Sequence, residues 1–466
     1  MEAPGQQQMT IRVHASRHSN VYFNAFSAPQ KDEQAVNSVP SSETQPSTCC
    51  GSCFSCCPTC CEPRGTGKTE GYDSTLRETL KVDASSQTLL VSSGYTFKDC
   101  LPELKVAGLL LQGTPEASTI SIGGALAVGA HGGGLFQAPI CGYVLELWIR
   151  DAQGVEHKFI KGAPDFAAAV VSLGLLGVIT RVKLQCKKSE GNRKVVATRV
   201  SSYSAAGLAT VTDRTHSFQF APYRKRMVRY DESDTLDSAP DCLARCYTVT
   251  RAASALPLAI KSIECCLPAC PRLACVVSQA LVCPGTCTFD GLDNFVPTPA
   301  AYAYTVEYSF DKNIAGLVFE KLIDVVKTNA AAGRYVTFRF WCRYIGAVPA
   351  EWALALSAGG DKVAFEFTLS TKQPGVDEFL GSVVKVFQDF NGRPHLGKTI
   401  RDEDVDYAAK VYGGYNDGAP FRAFEETRKK FDPRGTFMTK TLAQFVRTAM
   451  AAAVAAGAAA AKSSLC

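Results

Sequence analysis

The chain has 466 residues, 46% hydrophobic and 20% charged, which is the composition of a globular protein with a sizeable core and length for two domains. Its 49 Lys and Arg against 44 Asp and Glu leave a formal charge of only +5. This balance gives no support to a polyanion-binding surface, and no nucleic-acid partner is expected.

The N-terminal stretch "MEAPGQQQMTIRV" lacks the basic and apolar regions of a signal peptide. A chain that is not exported and a start upstream of Met1 are the two readings, and the compartment stays open. Residues of about 30–79 are polar, Pro-rich and without period, and read as an insertion. They hold "CCGSCFSCCPTCC", with seven of the 20 cysteines. The C-x-x-C spacings at 50/53, 53/56 and 57/60 match thiolate metal ligands. The distant Cys or His pair of a zinc finger is not evident, so a low-complexity surface insertion ranks ahead of disulfides and of a metal clip. No metal ligand is assigned.

From about Leu80 the pattern becomes regular. "TLKVDASSQTLLVSSGYTFKDCLPELKVAGLLL" predicts strand, turn, strand, then a short helix from Thr96 to Val106. "GGALAVGAHGGGLF" (Gly123–Phe136) follows, with six glycines and one histidine in fourteen residues. Glycine at this density marks backbone that approaches something closely. The glycines precede a strand, "GYVLELWIR", instead of following one and opening a helix, which excludes a dinucleotide-binding G-x-G-x-x-G unit. A P-loop is excluded because no Gly-Lys-Ser/Thr is present. What remains is a loop whose successive N–H groups form an anion-binding concavity against a flat or bulky cofactor. A hairpin turns at Asp151–Gly154, and "DFAAAVVSLGLLGVITRVKLQC" reads as helix, glycine turn and outgoing strand.

"YRKRMVRY" (Tyr223–Tyr230) reads as a solvated strand face, and residues of about 235–295 are irregular, with six more cysteines in "CCLPACPRLACVVSQALVCPGTC" alone. Order returns at Tyr302. "AYTVEYSF", "RYVTFRFWCRYI" and "VAFEFTLS" predict strands; "IAGLVFEKLIDVVKTN", "VDEFLGSVVKVFQDFN" and "FRAFEETRKKFDPRG" predict helices, the last stopped by Asp432-Pro433. No segment reads as a membrane span, because alanine is too weakly hydrophobic to anchor "RTAMAAAVAAGAAAAKSSLC". That tail is expected to be a frayed or disordered helix. The mixture of strands and short helices predicts two α+β units.

These blocks carry a resemblance. "TISIGGALAVGAHGGGLF", "GYVLELWIRDAQG" and "DFAAAVVSLGLLGVITRVKL" resemble the FAD-binding domain of the vanillyl-alcohol-oxidase (PCMH-type) flavoproteins. Within that group the chain is similar to the aldonolactone oxidoreductases, especially plant-type L-gulono-1,4-lactone oxidases. "IRVHASRHSN", "GRPHLGK" (Gly392–Lys398) and "FDPRGTF" (Phe431–Phe437) agree in order, and together the blocks span about Arg12 to Leu442. The resemblance implies an FAD-binding domain over about residues 1–190, a substrate-capping domain over about 191–450 and an Ala-rich tail from 451. It also implies a strand–helix–strand unit before "RVHASRHS", whereas eleven residues precede Arg12. The PCMH-type domain is therefore expected to be N-terminally incomplete.

The resemblance further implies roles. Gly124, Ala125, Gly129, Ala130 and Gly132 become flavin or pyrophosphate contacts, with Ile179 on the adenine side. Ala15, Ser16, Arg17, His18 and Ser19 resemble the loop that wraps the pyrophosphate, and His18 stands where many members attach the flavin covalently. His131 is expected to brace the loop. Ala130 resembles the dehydrogenase and plant-type pattern, where several oxidases carry Thr. Lys398 matches the lysine aimed at the flavin edge on which negative charge accumulates. Two-residue alternation places Thr337, Arg339, Trp341 and Arg343 on one strand face; Arg343 is the first choice for the substrate-facing arginine and Arg339 the second. Relatives carry Glu-x-Arg here, this chain lacks that Glu, and His395 is the candidate proton acceptor.

The expected activity is FAD-dependent oxidation of an aldono-1,4-lactone of the L-gulono, L-galactono or D-arabinono type at its C2 hydroxyl. Electrons would pass to O2 or a cytochrome-type acceptor, and membrane association is possible on the family pattern. The alternatives are an inactive relative acting as a Cys-rich metal or redox scaffold, and a sugar-alcohol oxidase of the same fold.

Overall fold

The computed structural model of the chain describes residues 77–115, 117–118, 120–189, 194–233, 270–280, 287–290, 303–336, 338 and 340–463. The "ASRHS" loop with His18, the first cysteine cluster, Thr337 and Arg339 lie outside the described residues, as do Cys265, Cys266 and Cys283.

The first sheet is antiparallel throughout. Its strands are β1 (Leu80–Asp83), β2 (Thr88–Ser92), β3 (Leu109–Leu111), β4 (Val144–Arg150), β5 (Glu156–Ile160) and β6 (Val178–Lys188). They are ordered β1-β2-β6-β4-β5, with β3 also pairing β6. Helix α1 (Phe97–Val106) starts where the sequence predicts, because Thr96 and Asp99 form a reciprocal capping box. The glycine-rich stretch is not loop throughout. Its first half is α2 (Ile122–Ala127), capped by the Ser121 hydroxyl accepting from Gly124 N–H. The helix expected in "DFAAAVVS" is a single turn, α3 (Phe166–Ala169).

A second, eight-stranded sheet follows, with the short α4 (Ala205–Leu208) between its first two strands in the chain. Its strands are β7 (Lys194–Val200), β8 (Thr215–Ala221), β9 (Arg226–Ser233), β10 (Cys287–Asp290), β11 (Ala303–Asp311), β12 (Phe340–Ile345), β13 (Lys362–Ser370) and β14 (Arg393–Pro394). The spatial order is β10-β7-β9-β8-β12-β13-β11-β14. Helix α5 (Pro271–Ala280) precedes β10; α6 (Ala315–Ala331) and α7 (Val376–Asp389) cover one face of the sheet. That face is apolar. Val306, Tyr308, Phe310, Phe340, Cys342, Phe365 and Phe367 meet Phe319 and Leu322 of α6 and Phe379 and Phe387 of α7. By strand alternation the opposite face carries Thr305, Glu307 and Ser309 on β11, Trp341 and Arg343 on β12, and Glu366 and Thr368 on β13. These polar residues are where the site forms.

Three further helices, α8 (Val405–Gly414), α9 (Ala419–Phe431) and α10 (Lys440–Ser463), return to the first sheet. One core joins Leu89, Val91, Leu126, Leu147 and Leu184 to Trp352, Leu396, Ala408, Tyr412, Phe424, Phe445 and Ala449. The packing therefore departs from a division at residue 190, since the C-terminal helices complete the N-terminal unit. The tail departs from expectation too. It is helical to Ser463, and Leu442, Phe445, Val446, Ala449 and Ala453 form a buried stripe at helical spacing. By length and composition this helix could cross a membrane, but its first half is packed into the protein. The sequence reading saw the alanines and not the stripe.

The α8–α10 contact is backbone to backbone. A Cβ at Gly413 would lie 2.0 Å from the Ala449 carbonyl oxygen, whereas one at Gly414 would meet nothing within 4 Å. Gly413→Val is expected to cost about 3 kcal/mol by overpacking, and Gly414→Ala to be neutral or stabilising by about 0.5 kcal/mol. Denaturant melts of the two variants check this; equal effects would mean that α10 is not docked as described.

Candidate active site

The second half of the glycine-rich stretch is clamped onto the polar face of the large sheet. Gly134 N–H donates to the Tyr344 carbonyl at 2.6 Å, and Gly133 N–H to His216 Nε2 at 3.1 Å. Gln137 ties the loop from behind: its amide donates to Gly133 O at 2.7 Å and accepts from Gly113 N–H at 3.0 Å. A Cβ at Gly132 would lie 2.5 Å from Thr114 O, and one at Gly133 2.2 Å from His216 O. Much of the glycine content is thus required by protein backbone on either side of the loop. Among the described residues, the backbone N–H groups of His131 and Gly132 find no acceptor.

Beneath the loop lies a buried charged cluster. Glu307 of β11 and Glu366 of β13 stand directly opposite each other in the β11–β13 ladder. Like charges in that position repel, and two cations answer them. Arg343 of β12 bonds directly to Glu366 and lies 3.5 Å from Glu307. Lys398 Nζ lies 3.4 Å from Glu366 and 3.6 Å from Glu307. The Arg343 guanidinium also sits 5.5 Å over the Trp341 ring. Lys398 is delivered by the "PHLGK" turn, which is pinned to β11 by His395 N–H donating to Glu307 O and Thr399 N–H to Thr305 O, both at 2.8 Å. Burial raises the Glu307 acid, but His131, Lys398 and Arg343 outweigh it and hold the carboxyl well below its usual range.

Two histidines close the cluster, their ring centres 5.3 Å apart. His131 Nδ1 lies 2.7 Å from Gly132 O, and its Nε2 lies 3.2 Å from Glu307 Oε1. His395 Nδ1 accepts from Gly397 N–H at 2.9 Å, so in the neutral ring the proton sits on Nε2. Burial pushes the His395 pKa down to about 3, only partly offset by Glu307. That makes His395 a weak base, contrary to the role the sequence suggested for it. His131, Glu307 and His395 offer ligand atoms within 4.8 Å of one another, the makings of a two-histidine, one-carboxylate metal site. The chemistry opposes a metal. His395 has its ligand lone pair engaged by Gly397, and Arg343 and Lys398 both lie within 4 Å of Glu307.

Of the residues proposed from sequence, the structure brings together Arg343, Lys398, His395 and His131. Gly124 and Ala125 lie in α2, and Gly129 and Ala130 in the turn after it. Ile179 pairs with Ile149 at the start of β6, its side chain in the first core. Glu307 and Glu366 escaped the sequence reading. Each is a lone carboxylate in an otherwise apolar strand, "TVEYSF" and "VAFEFT", and that exception to the pattern was the available signal. The carboxylate missing from the Arg343 strand is supplied from the next one, since Glu366 is the cross-strand partner of Trp341.

The donors fit an FAD. Two adjacent unpaired N–H groups, a lysine and an arginine suit an oxygen-rich flavin edge or a pyrophosphate. A cavity of about 130 Å³ lies against the loop, lined by His131, Gly132, Gly133, Gln137 and Ile345 among others. That space is open in part to solvent and too narrow to admit even a water, so it does not by itself enclose a tricyclic ring.

Two family models match the chain: an FAD-binding domain over residues 73–159, and D-arabinono-1,4-lactone oxidase over residues 265–445. A probable L-gulonolactone oxidase 6 of Arabidopsis thaliana is 35% identical over 133 residues, 25% of this chain and 22% of that protein. An alditol oxidase of a Streptomyces species is 31% identical over 123 residues, 26% of this chain and 29% of the relative. L-gulonolactone oxidase of Mus musculus is 33% identical over 113 residues, 24% and 26% of the two chains. The matches thus span between a fifth and a third of these relatives' length. In fold, the chain is similar to cholesterol oxidase from Brevibacterium sterolicum, with TM-score 0.60 at 15% identity over 79% of this chain and 83% of that one. The grass pollen allergen Phl p 4, described as having glucose dehydrogenase activity, gives TM-score 0.52 at 13% identity over 78% and 77%.

The low pKa of His395 has a consequence for stability. The unfolded chain takes up a proton at this ring below about pH 6.5, whereas the folded protein does so only near pH 3. The contribution is therefore whole above about pH 6.5 and is lost as pH falls toward 3, reaching a few kcal/mol across the window. His395→Gln should flatten the stability profile between about pH 6.5 and 5, read as melting temperature against pH. An unchanged slope would remove His395 as the cause.

Proposed function

The chain belongs to the PCMH-type FAD flavoproteins of the aldonolactone oxidoreductase family, and from that premise we propose that it oxidises a sugar-derived aldono-1,4-lactone at a ring hydroxyl. The observation that carries this reading is the Arg343–Glu366–Lys398–Glu307 cluster facing the glycine-rich loop. Bound FAD supplies a hydride acceptor; the protein must bind the lactone, orient its C–H bond and manage charge.

Arg343 and Lys398 are the donors to the lactone and hydroxyl oxygens. Both are rigid, because each is held between two carboxylates, so little reorganisation is needed as charge develops. The low-dielectric setting strengthens each of these contacts relative to water. Glu366 is the more accessible of the two carboxylates, with side-chain exposure of 10% against 1% for Glu307. It is the acceptor that would receive a hydroxyl hydrogen bond, while Glu307 holds the cations in place. The loop's N–H groups at His131 and Gly132 and the backbone of Gly124, Ala125, Gly129 and Ala130 would hold the cofactor, with residues 15–19 completing its pyrophosphate contacts.

The likeness to an alditol oxidase supports a second reading, a sugar alcohol as substrate of the same site. The test is anaerobic mixing of purified, FAD-loaded protein with L-gulono-1,4-lactone and, separately, with xylitol. Bleaching of the flavin by the lactone supports the first reading; bleaching by xylitol alone replaces it with the second. A colourless protein that refuses FAD, or a flavin that neither compound reduces, overturns both. Lys398→Ala is expected to slow lactone-driven bleaching by about a hundredfold without unfolding the protein, since this lysine is the most exposed member of the cluster. The electron acceptor is then read by re-oxidising the reduced protein with O2 or with cytochrome c.

A further inference from the structure

His131 is defined from both ring nitrogens. The Gly132 carbonyl 2.7 Å from Nδ1 can only accept, so Nδ1 carries a proton. Nε2 is buried, has no satisfied hydrogen bond and lies 3.2 Å from Glu307 Oε1. If Nε2 were bare, its lone pair would face a carboxylate only 3.2 Å away, a gap too short to hold a water between them. A proton on Nε2 turns the same geometry into an attraction between opposite charges.

The surrounding charges make that proton decisive. Arg343 from β12 and Lys398 from the turn after β14 contribute two positive charges; Glu307 from β11 and Glu366 from β13 contribute two negative ones. His395, from the same turn as Lys398, stays neutral because burial pushes its pKa down to about 3. His216 from β8 accepts the Gly133 N–H through Nε2 and lies 3.1 Å from Ser217 Oγ through Nδ1. The fixed charges cancel, so the state of His131 sets the net charge of the cluster at zero or at +1.

We propose that His131 carries a proton on both ring nitrogens and, clamped by Glu307, is the buried cation that gives the site its net positive charge. The unpaired N–H groups of His131 and Gly132 add to the same sign at the same point of the loop. Resting on the reading of this loop as the flavin-facing one, the cation opposes the negative charge that substrate oxidation delivers there. His131 is thus more than a brace for the loop, and it acts electrostatically beside Lys398.

The test begins with the side chain itself. In protein labelled with 15N-histidine, one of the six histidines should show imidazolium shifts on both ring nitrogens at neutral pH. It is assigned by its absence in His131→Asn. Glu307→Gln should return that ring to a neutral form with the proton on Nδ1, and should slow flavin bleaching by the lactone about a hundredfold. A singly protonated His131 at neutral pH, or an imidazolium that persists in Glu307→Gln, overturns the proposal. If Glu307→Gln does not fold, the spectrum of the unaltered protein decides alone. Should no sugar compound bleach the flavin, the oxidase reading falls while the spectrum still settles the charge on His131.

Discussion

Two carboxylates facing each other across one antiparallel ladder are an arrangement that a sheet tolerates only with help. Glu307 and Glu366 occupy such a pair, and the help comes from Arg343 on the neighbouring strand and Lys398 on the turn beyond the sheet edge. Each cation reaches both carboxylates, and two positive charges are needed to balance two negative ones. The requirement binds four separate stretches of chain to one point. It also fixes the height of the "PHLGK" turn over the sheet, and with it the position of His395 against His131. Burying such a set is costly and adds little to stability compared with an apolar packing of the same volume. Its retention in this chain makes sense as pre-organisation of a polar site.

The glycine-rich loop couples this cluster to the other half of the molecule. A loop that presents backbone on both sides can be gripped by Thr114 on one and by His216 and Tyr344 on the other. At the site the two units therefore meet through hydrogen bonds donated by the loop's backbone N–H groups, to the Tyr344 carbonyl and to the His216 ring. This places the donors of the loop and the cations of the sheet in one rigid frame, the condition for electrostatic stabilisation of developing charge.

The fold class was legible in the sequence because its signals are local. The capping box at Thr96, the alternation in "AYTVEYSF" and the Asp432-Pro433 stop each reproduce their element in the structure. Block order then carried the family. The site was half legible. Lys398 and Arg343 stood inside recognisable motifs, whereas Glu307 and Glu366 become partners only through strand register, which pairs residues 59 positions apart and which no spacing in one strand reveals. His395 misled for a related reason: a histidine looks like a base until the Gly397 N–H and complete burial are known. The C-terminal tail misled through composition, since its alanines conceal a stripe of larger residues with helical period.

That tail bears on how the molecule is made. The core of the N-terminal unit includes Phe445, Ala449 and Ala453, which lie beyond the whole of the intervening second sheet. On a ribosome, the last strand of the first sheet, ending at Lys188, emerges well before the helix that closes it, which starts at Lys440. Part of the apolar surface of the N-terminal unit stays uncovered until the second unit has been synthesised. Closure of the N-terminal core therefore depends on a helix made only after the second sheet has been synthesised.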